Sequence, residues 1–170
     1  KVIKLLIGEF GEIIEKPKAR MWFDFKALDD KCGWIPINIK TTTTLTGDNT
    51  GNFAMCVQAY TNVILDLDKS YKNGEMNDKF LSCIENREFN TDDQKDYYFL
   101  VLNKTNPTDI IVNSVKGLTV LTPNINNLPF QVCWNKNRTF KYKHIRESVK
   151  QVVAALQGPP PSWKEIGLAR

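Results

Sequence analysis

The sequence is poor in the residues on which most nucleophilic and zinc chemistry depends. Its 170 residues include one histidine, His144, which lies in a run of cationic residues, and four cysteines, none of them in a CxxC pair. A single candidate base argues against a Ser-His-Asp or Cys-His triad, and zinc ligands normally come in close-spaced pairs. If the protein is an enzyme, lysine or carboxylate chemistry with a metal ion fits this composition better.

The sequence also lacks a segment that would take it into a membrane. No stretch approaches the ~20 apolar residues that span a bilayer, and no signal segment opens the chain. We interpret the widely spaced Cys32, Cys56, Cys83 and Cys133 as buried or free thiols in a reducing environment, which predicts a cytoplasmic protein. Because the sequence starts at Lys1 without an initiator Met, it also suggests a trimmed or internal piece of a longer protein.

The remaining composition is that of an ordinary globular domain. Hydrophobic residues make up 42% and charged residues 25%, which excludes a disordered chain, a collagen and a coiled-coil rod. Since domains run to roughly 100–200 residues, we expect one α/β domain over residues 1–158 and a Pro-rich C-terminal tail over 159–170. The net charge of +4 is compatible with a nucleic-acid partner but does not establish one.

Hydrophobic periodicity predicts alternating helices and strands. The predicted helices cover residues 2–16, 53–66, 76–87 and 143–157. The predicted strands cover residues 19–27, 34–42, 97–103, 109–115, 118–121 and 129–134. A stretch rich in Thr, Gly and Asn at 41–52 is predicted to be a loop.

The first two predicted strands bring polar residues to one face. If their turn is centred on Lys31, Asp24 lies opposite Asn38 and Trp22 opposite Lys40. The apolar side chains then share the other face, which we expect to be the core face; they are Phe23, Phe25, Ile37 and Ile39. A solvent-exposed sheet face would also explain an acid, an amide and a lysine together, but the flanking helices predict that both faces are covered.

This pattern resembles the motif of the PD-(D/E)xK nuclease superfamily and, within it, the type II restriction endonucleases. The family motif is an acid on one strand followed by an acid-x-Lys on the next, and here Asp24 is followed by Asn38-Ile39-Lys40. Two positions depart from it. Asn38 stands in place of the second acid, and Phe23 stands in place of the Pro that precedes the first.

The first predicted helix adds a third candidate for the same site. The family often has a Glu in this helix, and the stretch 7–12 resembles that element, with Glu12 preferred over Glu9. The resemblance also implies the fold. We expect a restriction-endonuclease-like core, a central mixed β-sheet flanked by helices, in the order helix, three strands, helix, strand.

The resemblance implies a Mg²⁺-dependent, site-specific endonuclease that hydrolyses phosphodiester bonds in double-stranded DNA. Asp24 and Asn38 would hold Mg²⁺ through oxygen, and Lys40 would orient or help deprotonate the attacking water and stabilise developing negative charge. The implied partners are double-stranded DNA and a second copy of the chain in a homodimer. A cognate DNA methyltransferase is a further partner that the resemblance leaves open.

Two segments are predicted to contact DNA. In the Gly- and Asn-rich loop the candidates are Thr42, Asp48, Asn49 and Asn52, and the alternative is a solvated connector.

Between Lys136 and Lys150 the chain carries six bases and one acid, and Lys and Arg dominate contacts to phosphates. The candidates there are Lys141, Lys143 and Arg146, and the alternative is a solvated helix face. The aromatic residues among them, Trp134, Phe140 and Tyr142, are interpreted as core rather than as base-stacking residues.

Two other functions remain open on the sequence alone. One is a non-catalytic nucleic-acid-binding module derived from a nuclease fold, which would use the basic segment and bind in a salt-sensitive way without cutting. The other is a repair or junction-resolving nuclease of the same superfamily, which would recognise a structure or a lesion rather than a short sequence. No residue spacing announces a recognition sequence, because base readout depends on which side chains enter a groove.

Overall fold

The chain folds as an α/β protein around a mixed sheet flanked by helices. The structure is a computed structural model and describes residues 2–90, 95–123 and 129–156. Its strands are β1 (Ile14–Glu15), β2 (Phe25–Asp29), β3 (Gly33–Thr42), β4 (Gly47–Asn49), β5 (Tyr98–Asn103), β6 (Ile110–Ser114), β7 (Leu121–Thr122) and β8 (Gln131–Cys133). Its helices are α1 (Val2–Phe10), α2 (Phe53–Tyr60), α3 (Asn73–Glu85) and α4 (Ile145–Ala155).

The main sheet has the strand order β1-β2-β3-β5-β6. Strands β3 and β5 run parallel and are connected through α2 and α3, whereas the other neighbours in this sheet run antiparallel. A parallel pair needs such a crossover connection, because its strands start at the same edge of the sheet. A smaller antiparallel sheet has the order β4-β8-β7.

The β2–β3 hairpin has the register that the sequence predicts. Phe25 lies opposite Ile37, and Ala27 lies opposite Ile35. Gly33 follows the turn at φ +68°, a left-handed conformation that glycine adopts without steric cost. The alternation of side chains along both strands therefore fixes which residues of the hairpin share a face.

The main core lies on the polar side of β3, so the expected core face of the hairpin was wrong for Ile37 and Ile39, whereas Phe23 belongs to the core cluster and Phe25 is buried. In the parallel pair, Asn38 is opposite Phe99 and Lys40 is opposite Val101, and residues opposite each other share a face. Phe99 and Val101 are fully buried in the core cluster, to which Ile39 does not belong. The reason lies outside the hairpin, because helix α2 and the alternate residues of β5 supply the apolar layer on this side.

The opposite face of the sheet is only partly covered. Phe25 is buried there, but Ile37 and Ile39 are half-buried. On the edge strand β6, Ile110 is 53% exposed and Val112 is 62% exposed. On this hairpin the apolar side chains therefore do not lie on the face that the rest of the protein covers best. The sequence could not show this, because apolar and polar residues alternate along a strand with the same two-residue period.

The first predicted helix is shorter than its hydrophobic pattern suggests. α1 ends at Phe10, and Gly11 follows at φ +60°, which stops a right-handed helix. After a short 3-10 turn, Ile14 and Glu15 pair with β2 as an added edge strand. No residue of α1 is buried.

The predicted strand 19–27 and the predicted helix 53–66 are also too long at one end. β2 begins only at Phe25, after a bend in the chain at residues 22–24 and a left-handed φ of 65° at Arg20. α2 ends at Tyr60, because Thr61 is extended and bridges to the chain at Phe89. The predicted strand 118–121 is reduced to its last residue, which starts β7.

The predicted loop 41–52 was wrong over much of its length. Thr41 and Thr42 complete β3, and Gly47–Asn49 forms β4 by pairing with β8. The buried Thr50 hydroxyl donates to the Phe130 carbonyl at 2.9 Å. The polar composition of β4 does not predict a strand. The strand forms because its backbone pairs with β8, which lies far along the chain.

The other predicted elements are confirmed within a few residues of their ends, as expected for helix and strand boundaries. The Pro-rich tail 159–170 lies outside the described residues. None of the four cysteines forms a disulfide, and Cys56 and Cys83 are buried. Among the residues that the structure describes, no helix combines the length and the apolar character that a bilayer crossing requires.

Candidate active site

Asp24 is fixed against β3 at the point where the hairpin opens. Its backbone N–H donates to the Ile37 carbonyl at 3.0 Å. Its carboxylate Oδ2 accepts a hydrogen bond of 2.7 Å from the Ile39 N–H. The residue is half-buried. One oxygen of the carboxylate is therefore positioned by backbone, and Oδ1 is left for another ligand.

Asn38 carries an acceptor without a partner, one residue before the Ile39 N–H that binds the Asp24 carboxylate. It lies two residues before Lys40 on β3, so both side chains project from the same face. Its Oδ1 is buried and has no hydrogen-bond partner among the described residues. A buried unsatisfied acceptor costs about 1–3 kcal/mol, and such groups in native proteins usually have a functional or ligand-binding explanation.

Tyr97 belongs to the site, although the sequence did not single it out. Its hydroxyl donates to the Trp22 carbonyl at 2.9 Å. Burial raises the pKa of Tyr97, the charge of Asp24 raises it further, and a hydrogen bond with the Asn38 side chain lowers it. The phenol therefore stays protonated, and its hydrogen bond helps to hold the Asn38 side chain. The only signal in the sequence is its place at the start of a buried strand, which does not reveal its neighbours.

Lys40 reaches away from Asp24 toward the smaller sheet. Its ammonium group donates to the backbone carbonyl of Asn49 in β4, and no ion pair joins it to Asp24 in the described part of the chain. An ammonium has three donors, so two remain after this bond. Thr42 continues the same face of β3 and accepts from the Thr44 N–H at 3.4 Å.

Glu12 does not join these residues. It is exposed in the 3-10 turn Gly11–Ile13. Because Ile14 pairs with Ala27 in an antiparallel ladder, Glu12 lies toward the turn end of β2, roughly 17 Å along the strand from Asp24 at about 3.4 Å per residue. The sequence pattern predicted a helix where the short strand β1 forms. The pairing of β1 with β2 places Glu12 at the turn end of the hairpin, away from Asp24.

The other loop candidates for DNA contact each make a bond within the protein. Asp48 Oδ2 accepts from the Trp134 indole N–H at 3.0 Å. Asn49 Oδ1 accepts from the Gln131 side chain at 3.1 Å. Asn52 caps helix α2. These bonds explain why the loop is ordered, and contact of its residues with DNA stays a prediction.

The basic segment is divided between anchoring and exposed cations. Arg138 pairs with both oxygens of Asp109 at 2.7 and 3.0 Å, and this pairing lowers the pKa of Asp109 to about 2. Lys143 donates to the Leu118 carbonyl and is half-buried. Arg146 is exposed over an aromatic ring, and Lys141 is exposed. Lys141 and Arg146 are therefore the more accessible of the predicted phosphate contacts.

A second lysine of the hairpin has a different environment. Lys26 is 7% exposed. Its ammonium group lies 3.2 Å from Glu15 and 3.4 Å from Asp68, and 5.2 Å from the centre of the Trp34 ring. We call Glu15, Lys26, Trp34 and Asp68 the Lys26 cluster. We call Asp24, Asn38, Lys40 and Tyr97 the Asp24 cluster.

The donor set of the Asp24 cluster fits a hard divalent cation. Carboxylate and carboxamide oxygens are ligands that Mg²⁺ accepts, and a cation would satisfy the orphaned Oδ1 of Asn38. Within the described ranges, no group of three or more His, Cys, Asp or Glu residues is gathered so that it could hold a metal. A metal bound here would therefore depend on Asp24 and Asn38, with water or phosphate completing its shell.

Comparison of the chain with protein-family models, with curated proteins and with solved structures finds no match. The functional conclusion therefore depends on the geometry of the Asp24 cluster. Its decisive feature is a backbone-fixed carboxylate next to an unsatisfied carboxamide oxygen on a half-buried sheet face.

Proposed function

We propose that the chain is a Mg²⁺-dependent endonuclease that cuts double-stranded DNA, of the type II restriction class, with a restriction-endonuclease-like core. The observation that carries the proposal is the unsatisfied Oδ1 of Asn38 beside the fixed carboxylate of Asp24. The element order supports it, because α1 is followed by three antiparallel strands, a helical crossover and the parallel strand β5.

In this proposal Asp24 and Asn38 hold Mg²⁺ through their side-chain oxygens. A bound ion would supply Lewis acidity toward a phosphate oxygen and toward a water molecule. Asp24 keeps its orientation through the bond from the Ile39 N–H. Lys40 positions the attacking water and stabilises the negative charge that develops on the phosphate. Tyr97 stays protonated and holds the Asn38 side chain in place.

Two copies of this site would cut both strands in a single binding event, so we propose that a homodimer acts on the duplex. A closed two-fold dimer presents two identical sites related by the symmetry of the DNA. The accompanying partner would be a DNA methyltransferase that protects the same sequence. Glu12 is left out of the mechanism because it lies at the far end of β2.

The test is incubation of plasmid and phage DNA with the protein, with Mg²⁺ and separately with EDTA. We expect discrete fragments that require Mg²⁺. The variant Asp24→Asn keeps an oxygen for the Ile39 N–H but removes the charge, and it should not cut. Asp30→Asn, in the exposed turn of the same hairpin, should cut like the wild type. Full activity of Asp24→Asn would overturn the proposal.

A second function is favoured by one observation, the exposure of aromatic rings in the basic segment. Phe140 and Tyr142 are exposed beside Lys141, as in surfaces that bind nucleic acid without cutting it. Uncut DNA that is nevertheless bound in a salt-sensitive way would favour such a binding module. Cleavage of branched or damaged DNA, but not of intact plasmid, would favour a repair or junction-resolving nuclease.

A further inference from the structure

A pocket lies away from the Asp24 cluster, between the start of β5 and helix α4. It has a volume of about 80 Å³ and is lined by Asp96, Tyr98, Lys116, Phe140, Tyr142 and Ser148, among others. At about 10–15 Å³ for each water position, this volume holds roughly five to eight water-sized positions. That is the size of a single-ring heterocycle, and it is too small for a folded peptide segment.

Ser148 gives this pocket an unsatisfied polar group. The residue is 1% exposed, and its hydroxyl has no hydrogen-bond partner in the described part of the chain. A serine inside a helix can bond back to the carbonyl one turn earlier, but this one does not. The hydroxyl can donate one hydrogen bond and accept two, so a ligand with a polar edge would satisfy it.

The mouth of the pocket is aromatic. Phe140 is 51% exposed and Tyr142 is 69% exposed, so their interpretation as core residues was wrong, whereas Trp134 is fully buried. The Phe140 ring lies against Gly117, where a Cβ would come within 2.3 Å of Cδ2. Close approach to a glycine backbone holds this ring in place at the surface.

The charges of the pocket favour a ligand with a negative group outside its ring. The Asp96 carboxylate is already occupied, since Oδ1 accepts from the Tyr97 N–H at 2.7 Å and from the Lys116 N–H at 3.4 Å. Lys143 lines the same pocket, but its ammonium group already donates to the Leu118 carbonyl and to Gln151 Oε1. Lys141 is exposed, and it lies between Phe140 and Tyr142 in the sequence. Its exposed ammonium group suits a phosphate.

We propose that this pocket receives one unpaired pyrimidine base of a DNA strand, stacked on Tyr142 or Phe140 and hydrogen-bonded by Ser148. The adjoining phosphate would lie against Lys141. Base-on-aromatic stacking of this kind accepts any strand whose bases are unpaired. The inference shares with the proposed function only the assumption that DNA is the ligand, because it needs neither Mg²⁺ nor the Asp24 cluster.

The test is fluorescence anisotropy with a labelled twelve-residue thymidine strand (dT12), measured in EDTA so that no cleavage takes part. The comparison strand has the same phosphates but abasic sugars. We expect dT12 to bind at least about tenfold more tightly than the abasic strand, because stacking contributes to one and phosphate contacts to both. Equal binding of the two strands would overturn the proposal, whatever the outcome of the cleavage assay.

Variants locate the binding on the molecule. Tyr142→Ala should weaken dT12 binding roughly 5- to 100-fold and leave binding of the abasic strand unchanged. The matched control is Phe10→Ala, which removes a ring that is 52% exposed on α1 and should change neither. An equal loss of dT12 affinity in the two variants would contradict binding at this pocket.

Ser148→Ala separates a ligand contact from a structural one. Because the hydroxyl has no partner in the described residues, its removal should leave the unfolding midpoint unchanged or raised while dT12 binding falls. Unchanged dT12 binding would contradict its role. Competition with free thymidine monophosphate tests the source of the base, and a mononucleotide that binds as tightly as dT12 would overturn the assignment to a strand.

Discussion

Two side-chain clusters on the β2–β3 hairpin use the same residue types in opposite ways. Two residues along β2 from Asp24, the Lys26 cluster surrounds a buried ammonium with two carboxylates and an aromatic ring. At the open end, the Asp24 cluster keeps its carboxylate and its ammonium apart and leaves a carboxamide oxygen unsatisfied. Both lysines project from the same face of the sheet, two ladder positions from Asp24 or Asn38.

The two clusters differ in what neutralises their charges. The charge of Lys26 is paired within the protein, whereas the polar groups of the Asp24 cluster are left for a ligand. A buried lysine must be paired, because desolvation of an isolated ammonium costs several kcal/mol. Lys26 meets this condition within the protein. In the Asp24 cluster the protein positions its groups with backbone bonds and leaves them for something else to satisfy. A structural cluster and a candidate site can thus be distinguished on one hairpin without any relative to compare.

The largest expected difference between the clusters is in catalysis. Lys40→Ala should lower the rate of DNA cleavage roughly 100- to 1,000-fold, the usual cost of losing one group that stabilises developing charge. Its unfolding midpoint should stay close to that of the wild type, because the one bond of the Lys40 side chain among the described residues is to a backbone carbonyl. The rate is measured on plasmid DNA and the midpoint in urea. Robust cutting by Lys40→Ala would remove this residue from the mechanism.

The second prediction concerns a buried acid near the turn end. Asp96 lies in a pocket beside Trp34 and Pro36, and burial raises its pKa from 3.8 to about 6. The folded state therefore binds this proton more tightly than the unfolded state. Its contribution to stability is complete below about pH 3.8 and is lost as the pH rises through 6. The shift corresponds to about 3 kcal/mol.

Asp96→Asn isolates this effect, because the amide oxygen still accepts from the Tyr97 N–H. The free energy of unfolding of the variant minus that of the wild type should increase between pH 4 and pH 7, by about 2 kcal/mol of the full shift. Urea titrations at several pH values measure it. A difference that is constant over this range would show that Asp96 titrates normally.

The third prediction is the opposite of the first, because it expects a loss of stability without a loss of cleavage. Lys26→Met keeps the length of the side chain but removes its pairing with Glu15 and Asp68 and its contact with Trp34. We expect the free energy of unfolding to fall by about 1–2 kcal/mol, since both carboxylates stay solvated. The rate of DNA cleavage at a temperature where the variant is folded should not change. A loss of cleavage as large as that of Lys40→Ala would mean that the clusters are not distinct.

The smallest effect is expected from completing the acid pair. Asn38→Asp gives the Asp24 cluster a second carboxylate, and affinity for a hard cation rises with the charge of its ligands. We expect Mg²⁺ to bind roughly tenfold more tightly, equivalent to about 1.4 kcal/mol, by isothermal titration. Thr42→Asp, on the same face of β3 but farther from Asp24, is the control. An unchanged affinity in Asn38→Asp would exclude Asn38 as a ligand.

Local alternation was sufficient to predict the hairpin register and the shared face of Asn38 and Lys40. These features depend on the two-residue period of a strand and on the position of one turn, both of which are visible in the sequence. The same information did not identify the core face. That depends on helix α2 and strand β5, and no residue of the hairpin reports their position.

The sequence-based predictions that were wrong or incomplete have one physical cause, which is strand pairing between segments that lie far apart in the chain. The apolar period of residues 2–16 is compatible with a continuous helix, yet Gly11 adopts a left-handed conformation and Ile14 pairs with β2 instead. That pairing moved Glu12 away from the candidate site. Strand β4 was missed because its pairing partner follows much later in the chain. Tyr97 was missed because only the parallel pairing of β3 with β5 brings it to Asp24.

The most direct test of the Asp24 cluster is a crystal structure of the protein soaked with Mn²⁺, with anomalous scattering used to locate the ion. We predict one peak in contact with the Asp24 carboxylate and with Oδ1 of Asn38, which is lost in Asp24→Asn. A peak only at other carboxylates, or no peak at Mn²⁺ concentrations that support cleavage, would contradict the account.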